Sequence, residues 1–388
     1  MTLGELTSSD RRLALVGLAK NTGKTEALAS LLRELRAGGR CVGVTSVGRD
    51  GEERDVIDSR ISKPRVSLPA GSIVATTDGL LRASAIPHEL LEETGVRTPL
   101  GQVLIARLHD EGAVEVAGPS AAADVRAAAD AMLAHGAEQV LIDGAIDRRA
   151  ASSPEIVDGL VISTGAVLSH DLDEVVLQTK DAIDLVRLPR VDDASEVGQL
   201  LRELAAPLAG AVPLPGYVPG YSGEDAAHAG RTSFLVGEDL EPVALPPRFV
   251  LTSDAEQIAL LLDANPDARW LSIAGALPDR FLRNLLHPVH HRRRELVLVV
   301  GDPTKVFLWK RGPEWYRRQG VDLQTLARVE LEALTVNPLA PQSHRFDSER
   351  LRAQLRQAIV DVPIFDVLAD DYPGVRQRAP AVRGWRSR

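Results

Sequence analysis

One short stretch of this chain brings together two lysines, two threonine hydroxyls and two glycines: Leu13-Ala-Leu-Val-Gly-Leu-Ala-Lys-Asn-Thr-Gly-Lys-Thr25. The apolar start reads as a buried strand and the middle as a tight polar loop. The end reads as the first turn of a helix that continues through Glu26 with Leu28, Leu31, Leu32 and Leu35 on one stripe, until Gly38-Gly39 stops it. A strand entering a helix through Gly23-Lys24-Thr25 suits phosphate. The first N–H groups of a helix have no partner within it, and its dipole is positive there. Lys24 can reach β- and γ-phosphates, and Thr25 can place its hydroxyl on Mg²⁺. Gly17, Lys20, Asn21, Thr22, Gly23, Lys24, Thr25 and Glu26 are therefore the expected phosphate contacts. The usual spacing puts a glycine at position 18, but this chain has Leu18 there and Gly17 one place earlier, so the loop is one residue longer at its front.

Such a site also needs an acid near the metal, at the end of an apolar strand. Gln139-Val-Leu-Ile-Asp143-Gly144 supplies one. Asp143 is the first choice and Asp147 the second; the competing reading is that Asp143 caps a turn with Gly144. A charged loop, Gly48 to Asp55, follows the next strand. Ligands of α/β sheets collect at the carboxyl ends of strands. Asp50, Glu52 and Asp55 could then contact Mg²⁺ or orient a water, and Arg49 or Arg54 could touch phosphate. Asp50 is preferred among them, and a simple solvated loop is the alternative. Lys24, Asp50 and Asp143 are the expected catalytic set, with Thr25, Asp50 and Asp143 at the metal.

The base is harder to assign. A guanine reader usually carries Asn-Lys-x-Asp. Asp302-Pro-Thr-Lys-Val306 lacks both the asparagine and the final acid, which leaves adenine as the default. Asn337-Pro338 reads equally as a base contact or a turn. His287, His290 and His291 beside Arg292-Arg-Arg294 read better as a polar helix end than as a metal site.

These groups must be positioned by alternating elements. Strands are expected at Cys41–Val47, Arg65–Leu68, Gly71–Thr76, Gly101–Arg107, Gly112–Gly118, Gln139–Asp143 and Val157–Thr164. His88–Thr94 reads as a helical turn, Ala121–His135 as a helix capped by Ser120, and Asp171–Leu188 as a helix ended by Pro189. Pro and Gly are dense from Ala206 to Gly223. Apolar runs at Phe249–Thr252, Trp270–Ala274, Leu296–Val300 and Ala333–Val336 alternate with helices at Ala255–Ala264 and Asp279–Leu286. The expected organisation is a nucleotide-binding domain over 1–205 with a β-rich insertion at 65–118. A connector over 206–246, a second α/β region over 247–370 and a basic tail over 371–388 follow.

Composition narrows the class. The 388 residues are 44% hydrophobic, enough for two cores, and only 4% aromatic, so the cores must be aliphatic. A net charge of −9 argues against a general nucleic-acid or anionic-membrane surface. The single cysteine, Cys41, excludes an intrachain disulfide framework and reads as a small core residue. No apolar run approaches a membrane span and no secretion signal is visible, so a cytoplasmic protein is expected.

The lengthened loop resembles that of dethiobiotin synthetase, and Lys20-Asn-Thr-Gly-Lys-Thr25 resembles the loop of the molybdopterin-guanine dinucleotide biosynthesis protein B. Both are P-loop proteins of the branch that includes the partitioning ATPases. That branch often carries a second lysine at the position of Ala19, whereas Lys20 lies one place off. Further runs narrow the resemblance: Thr45-Ser-Val-Gly-Arg-Asp-Gly-Glu52, Lys63-Pro-Arg65, Gly71–Thr76, Ile142-Asp-Gly-Ala-Ile-Asp-Arg148, Ser163-Thr-Gly-Ala166, Gly275-Ala-Leu277, Asp302-Pro-Thr-Lys305 and Thr335-Val-Asn-Pro338. Together they resemble the ATP-binding subunit of the lysine 5,6-aminomutase reactivase.

The resemblance implies an α/β P-loop NTPase domain with a mostly parallel sheet, plus a second α/β region. It implies ATP and Mg²⁺ as cofactors, and ATP hydrolysis spent on restoring an adenosylcobalamin-dependent aminomutase. The aminomutase and a second reactivase subunit would be the partners. The rival expectation is an ATP-dependent ligase or kinase acting on a small metabolite, as dethiobiotin synthetase does. A third is a nucleotide-binding module that does not hydrolyse.

Overall fold

Leu13-Ala-Leu-Val16 contains no polar residue, so a strand built from it needs cover on both faces. In the computed structural model, which describes residues 2–48, 65–145, 149–205, 232–246, 248–287, 295–341, 344–369 and 372, this run is buried in strand β1 (Arg12–Gly17). The chain forms two compact units. One comprises 1–180 with 329–388, and the other comprises 181–328.

In the first unit, helix α1 (Leu3–Leu6) precedes β1. Helix α2 (Lys24–Ala37), β2 (Val42–Ser46), β3 (Val66–Leu68) and β4 (Ile73–Thr77) follow. Next come α3 (Asp78–Ala83), β5 (His88–Thr98), β6 (Gly101–Leu108), β7 (Gly112–Val114), α4 (Ala122–Ala134), β8 (Gln139–Ala145), β9 (Gly159–Gly165) and α5 (Leu172–Val186), which runs on into the second unit from Asp181.

The second unit holds α6 (Glu196–Ala205), β10 (Phe234–Gly237), β11 (Pro242–Ala244), α7 (Phe249–Thr252), α8 (Ala255–Ala264), β12 (Ala268–Ile273), β13 (Leu277–Pro278) and α9 (Asp279–Leu285). It ends with β14 (Leu296–Val300), β15 (Val306–Phe307), α10 (Pro313–Arg318) and β16 (Val321–Thr325). The chain then returns to the first unit with β17 (Glu330–Asn337), α11 (Ser348–Ala358) and β18 (Ile364–Phe365).

The first unit is built on a nine-stranded sheet of order β18-β17-β9-β1-β8-β2-β4-β6-β5. Pairing is parallel from β18 to β4 and antiparallel where β6 meets β4 and β5. The apolar stripe of α2, formed by Ala27, Leu28, Leu31, Leu32 and Leu35, packs into a cluster with Leu13, Leu15, Val42, Val44, Leu141 and Val161. Gly43 faces the other way, where a Cβ would meet Met132 Sδ at 3.2 Å, so α4 lies close against that face. The second unit has a five-stranded sheet of order β11-β10-β12-β14-β16. It is parallel from β12 to β16 and antiparallel on either side of β10.

Several expected elements change. His88–Thr94 belongs to edge strand β5, because pairing with β6 outweighs a helix-like local sequence. Phe249–Thr252 is the short helix α7 rather than a strand; Ser253 and the capping box of Asp254, which opens α8, follow at once. The N-cap of α4 is Ala121, with no side-chain bond from Ser120. Cys41 is half-buried just before β2, not a core residue. Ala333–Val336 lies in β17 of the first sheet, so 247–370 is not one separate region. Residues 234–244 form β10 and β11 rather than a connector. The rest of the expected connector, 206–231, and the tail beyond Tyr372 lie outside the described residues.

Asp10, just before β1, is only 8% exposed, and its Oδ2 is buried without a hydrogen-bond partner. Gly159 leaves it room, since a Cβ there would lie 2.3 Å from that oxygen. Burial first, then the carboxylates of Glu332, Asp158 and Glu330, push its carboxyl up to about 7. The Asp158 carboxylate is itself paired to Arg12. The unfolded chain loses this proton at the ordinary value of 3.8. Between those two values the folded state holds a proton that the unfolded state has released, so stability falls as pH rises through the window. Asp10→Asn should therefore melt close to wild type at pH 4 and several degrees above it at pH 8. Thermal unfolding at both pH values decides the point, and equal melting at pH 8 would refute it.

Candidate functional site

The central position of β1 fixes where the loop after it can go. The chain leaves β1 at Gly17 between the carboxyl ends of β8 and β9, the side of an α/β sheet where ligands gather. It must then turn back tightly enough to start α2 at Lys24. Gly17 lies so close to the loop that a Cβ would come within 2.6 Å of Thr22 Oγ1. Thr22 is buried and donates from Oγ1 to Ala19 O at 3.0 Å. Asn21 and Gly23 take positive φ values of 67° and 87°. Gly23 brings no side chain to cap α2, so the N–H groups of the first turn point out of the helix start. Ala19, Lys20, Asn21, Thr25 and Glu26 are exposed around this turn.

The register of the sheet delivers the acid. Asp143 sits opposite Leu15 of β1 and Ser46 of β2, so it shares the face covered by α2. On the other side of Leu15 the same row continues as Val161 and Ala333, both aliphatic. Lys24, the first residue of α2, places its Nζ 2.5 Å from Asp143 Oδ1. The two side chains are 23% and 31% exposed. The contact is an ion pair without an aligned hydrogen bond, because Asp143 Oδ1 is buried and accepts none. Asp143 and Gly144 both lie inside β8, so Asp143 caps no turn. Gly144 is needed for packing instead: a Cβ there would lie 2.3 Å from Ala151 Cβ.

The donor set suits a small hard cation. Thr25 in the first turn of α2 and Asp143 in β8 carry oxygen ligands, and Asp143 Oδ1 has a lone pair unused by hydrogen bonding. Among the described residues there is no cluster of three or more His, Cys, Asp or Glu able to hold a metal. A magnesium ion here would therefore keep waters and share phosphate oxygens, as this ion ordinarily does.

On the other flank, Leu18 N donates to Ser163 O at 2.9 Å, which ties the loop to β9. Ser163 Oγ and Thr335 Oγ1 are 2.8 Å apart and link β9 to β17. Asn337, at the end of β17, donates from Nδ2 to Asn21 O at 3.1 Å and accepts Leu339 N at Oδ1. Its Cβ lies 2.9 Å from where a Cβ on Gly23 would be. Asn337, which the sequence left equally as a base contact or a turn, thus closes a turn of its own and braces the loop, with one bond at each end of its amide. The runs Ser163–Ala166 and Thr335–Pro338, which carry part of the family resemblance, are the struts beside the loop.

Asp50, with Arg49, Glu52, Arg54 and Asp55, falls outside the described residues, as do Asp147, His290, His291 and the arginines after them. Asp302 belongs to the second unit, where its carboxylate accepts Thr304 N at 2.8 Å and closes its own turn. His287 lies just past α9. Among the described residues no helix is long and apolar enough to cross a membrane. Compared with family models, curated proteins and solved structures, the chain gives no match.

The brace can be tested directly. Asn337→Ala removes a bond worth about 0.5–1.5 kcal/mol, so amides of 18–24 should exchange with solvent roughly 2- to 12-fold faster. Amides of β14 should not change. Unaltered exchange in the loop would show that Asn337 holds nothing.

Proposed function

We propose that this chain binds and hydrolyses ATP with Mg²⁺ to reactivate or regulate a partner enzyme. The resemblance points to an adenosylcobalamin-dependent aminomutase as that partner. The observation that carries the nucleotide reading is the ion pair between Lys24 and Asp143 at the mouth of a glycine turn. An ammonium beside a helix start and a carboxylate on the adjacent strand are the two charges that a metal-bound triphosphate requires. The loop geometry supports the same reading, since its positive-φ residues and uncapped helix start offer main-chain donors to phosphate oxygens.

In this reading Lys24 leaves Asp143 when a triphosphate arrives and pairs with its β- and γ-oxygens. Thr25 and Asp143 would hold the magnesium, which when bound neutralises phosphate charge. Asp143, relieved of Lys24, accepts a hydrogen bond from a water near the terminal phosphate. Hydrolysis linked to a conformational change would then drive the partner's repair.

Two variants test the nucleotide step. Lys24→Ala loses a charge-assisted bond of about 1.5–3 kcal/mol, so triphosphate affinity should fall roughly 10- to 150-fold. Asp143→Asn frees Lys24 and removes one negative charge. It should bind ATP more tightly than wild type without magnesium and lose the gain that magnesium gives wild type. Titration calorimetry with and without the metal reads both, and wild-type affinities in both variants would end the proposal. For the partner step, ATP turnover without added metabolite should rise when the aminomutase is present. Turnover that instead requires a small metabolite would favour a ligase or kinase.

A further inference from the structure

The carboxyl ends of β9 and β17 lie on the side of the loop away from Asp143. The segments that leave them converge. His344 Nε2 lies 3.2 Å from Ser169 O. The rings of His170 and His344 stack with centroids 4.0 Å apart at 37°, and His344 meets Phe346 edge-on at 5.5 Å. None of the three belongs to the buried core: His170 is exposed, and His344 and Phe346 are half-buried. Three rings gathered outside the core, where β9 and β17 end, need a reason other than filling the interior.

The cluster is also held close to the loop. Phe346 N donates to Pro338 O at 2.9 Å, and the preceding residue, Asn337, is the one that braces Asn21. His344 Nδ1 is buried and lacks a hydrogen-bond partner. Asp143 thus lies on one flank of the loop and the rings on the other. If the terminal phosphate of a triphosphate faces Asp143, a nucleoside extended across the loop would lie on the side of β9 and β17.

We propose that His170, backed by His344 and Phe346, is the platform on which the base of a purine nucleoside triphosphate stacks. This assignment rests on the nucleotide reading above and adds the base-binding end of the ligand. A ring face attracts any base through its π surface and reads no edge, so such a platform separates adenine from guanine weakly. That fits the missing asparagine and acid in the run at Asp302. It also leaves Asn337 to brace the loop.

The test uses the full chain and two probes, Mg·ATP and inorganic tripolyphosphate. His170→Ala should weaken ATP binding roughly 5- to 150-fold, the range for losing one stacked base, and leave tripolyphosphate affinity unchanged. His170→Phe keeps a flat ring and should bind ATP within a few-fold of wild type. Lys24→Ala should lose affinity for both probes. If His170→Ala binds ATP as wild type does while Lys24→Ala does not, the platform is wrong and the phosphate site stands. If His170→Ala loses tripolyphosphate as well, the residue supports the loop rather than the base, and the platform again fails. If wild type binds neither probe, both assignments fall.

Discussion

Lys24 and Asp143 meet because one strand stops where a helix starts, and the neighbouring parallel strand ends beside it with a carboxylate on the helix-covered face. Every other feature of the site depends on that coincidence of registers. Slipping β8 by one residue against β1 would turn Asp143 to the opposite face and bring Gly144 or Ile142 under Lys24. The pair is partly exposed, so its contribution to stability is small. Its consequence is positional: an ammonium and a carboxylate are held within reach of a third charged group that can divide them.

The loop owes its shape to main-chain and short side-chain contacts rather than to apolar packing. Gly17 and Gly23 are required by close approach, Gly23 also by its positive φ. Thr22 closes the turn from within, and Leu18 and Asn337 fasten it to β9 and β17 from outside. A site assembled in this way is rigid where it faces the sheet. Thr25 and Glu26 stay exposed at its mouth.

Much of this was readable in advance, for identifiable reasons. An all-aliphatic strand followed by a glycine turn and an amphipathic helix is a local pattern, and it placed β1, the loop and α2 correctly. Asp143 was readable for the same reason, as the first polar residue at the end of an apolar run. Sheet membership was not. Ala333–Val336 is a short, mostly apolar run like Leu296–Val300, and nothing in either says that one joins β9 and the other β12. The role of Asn337 was hidden because it depends on a contact with Asn21, over three hundred residues away. His88–Thr94 misled because its composition favours a helix while its neighbour β6 offers a ladder.

β9 and β17 are hydrogen-bonded neighbours, yet β9 ends at Gly165 and β17 begins only at Glu330, with an entire second unit between them. A chain emerging from the ribosome can pair β1, β2, β8 and β9 early and must then wait through that long interval. During the wait the outer side of β9 is an unpaired edge, open to wrong partners. The loop is meanwhile present but unbraced, since Asn337 has not yet been made. The last strands of the chain thus complete a site that its first strand begins.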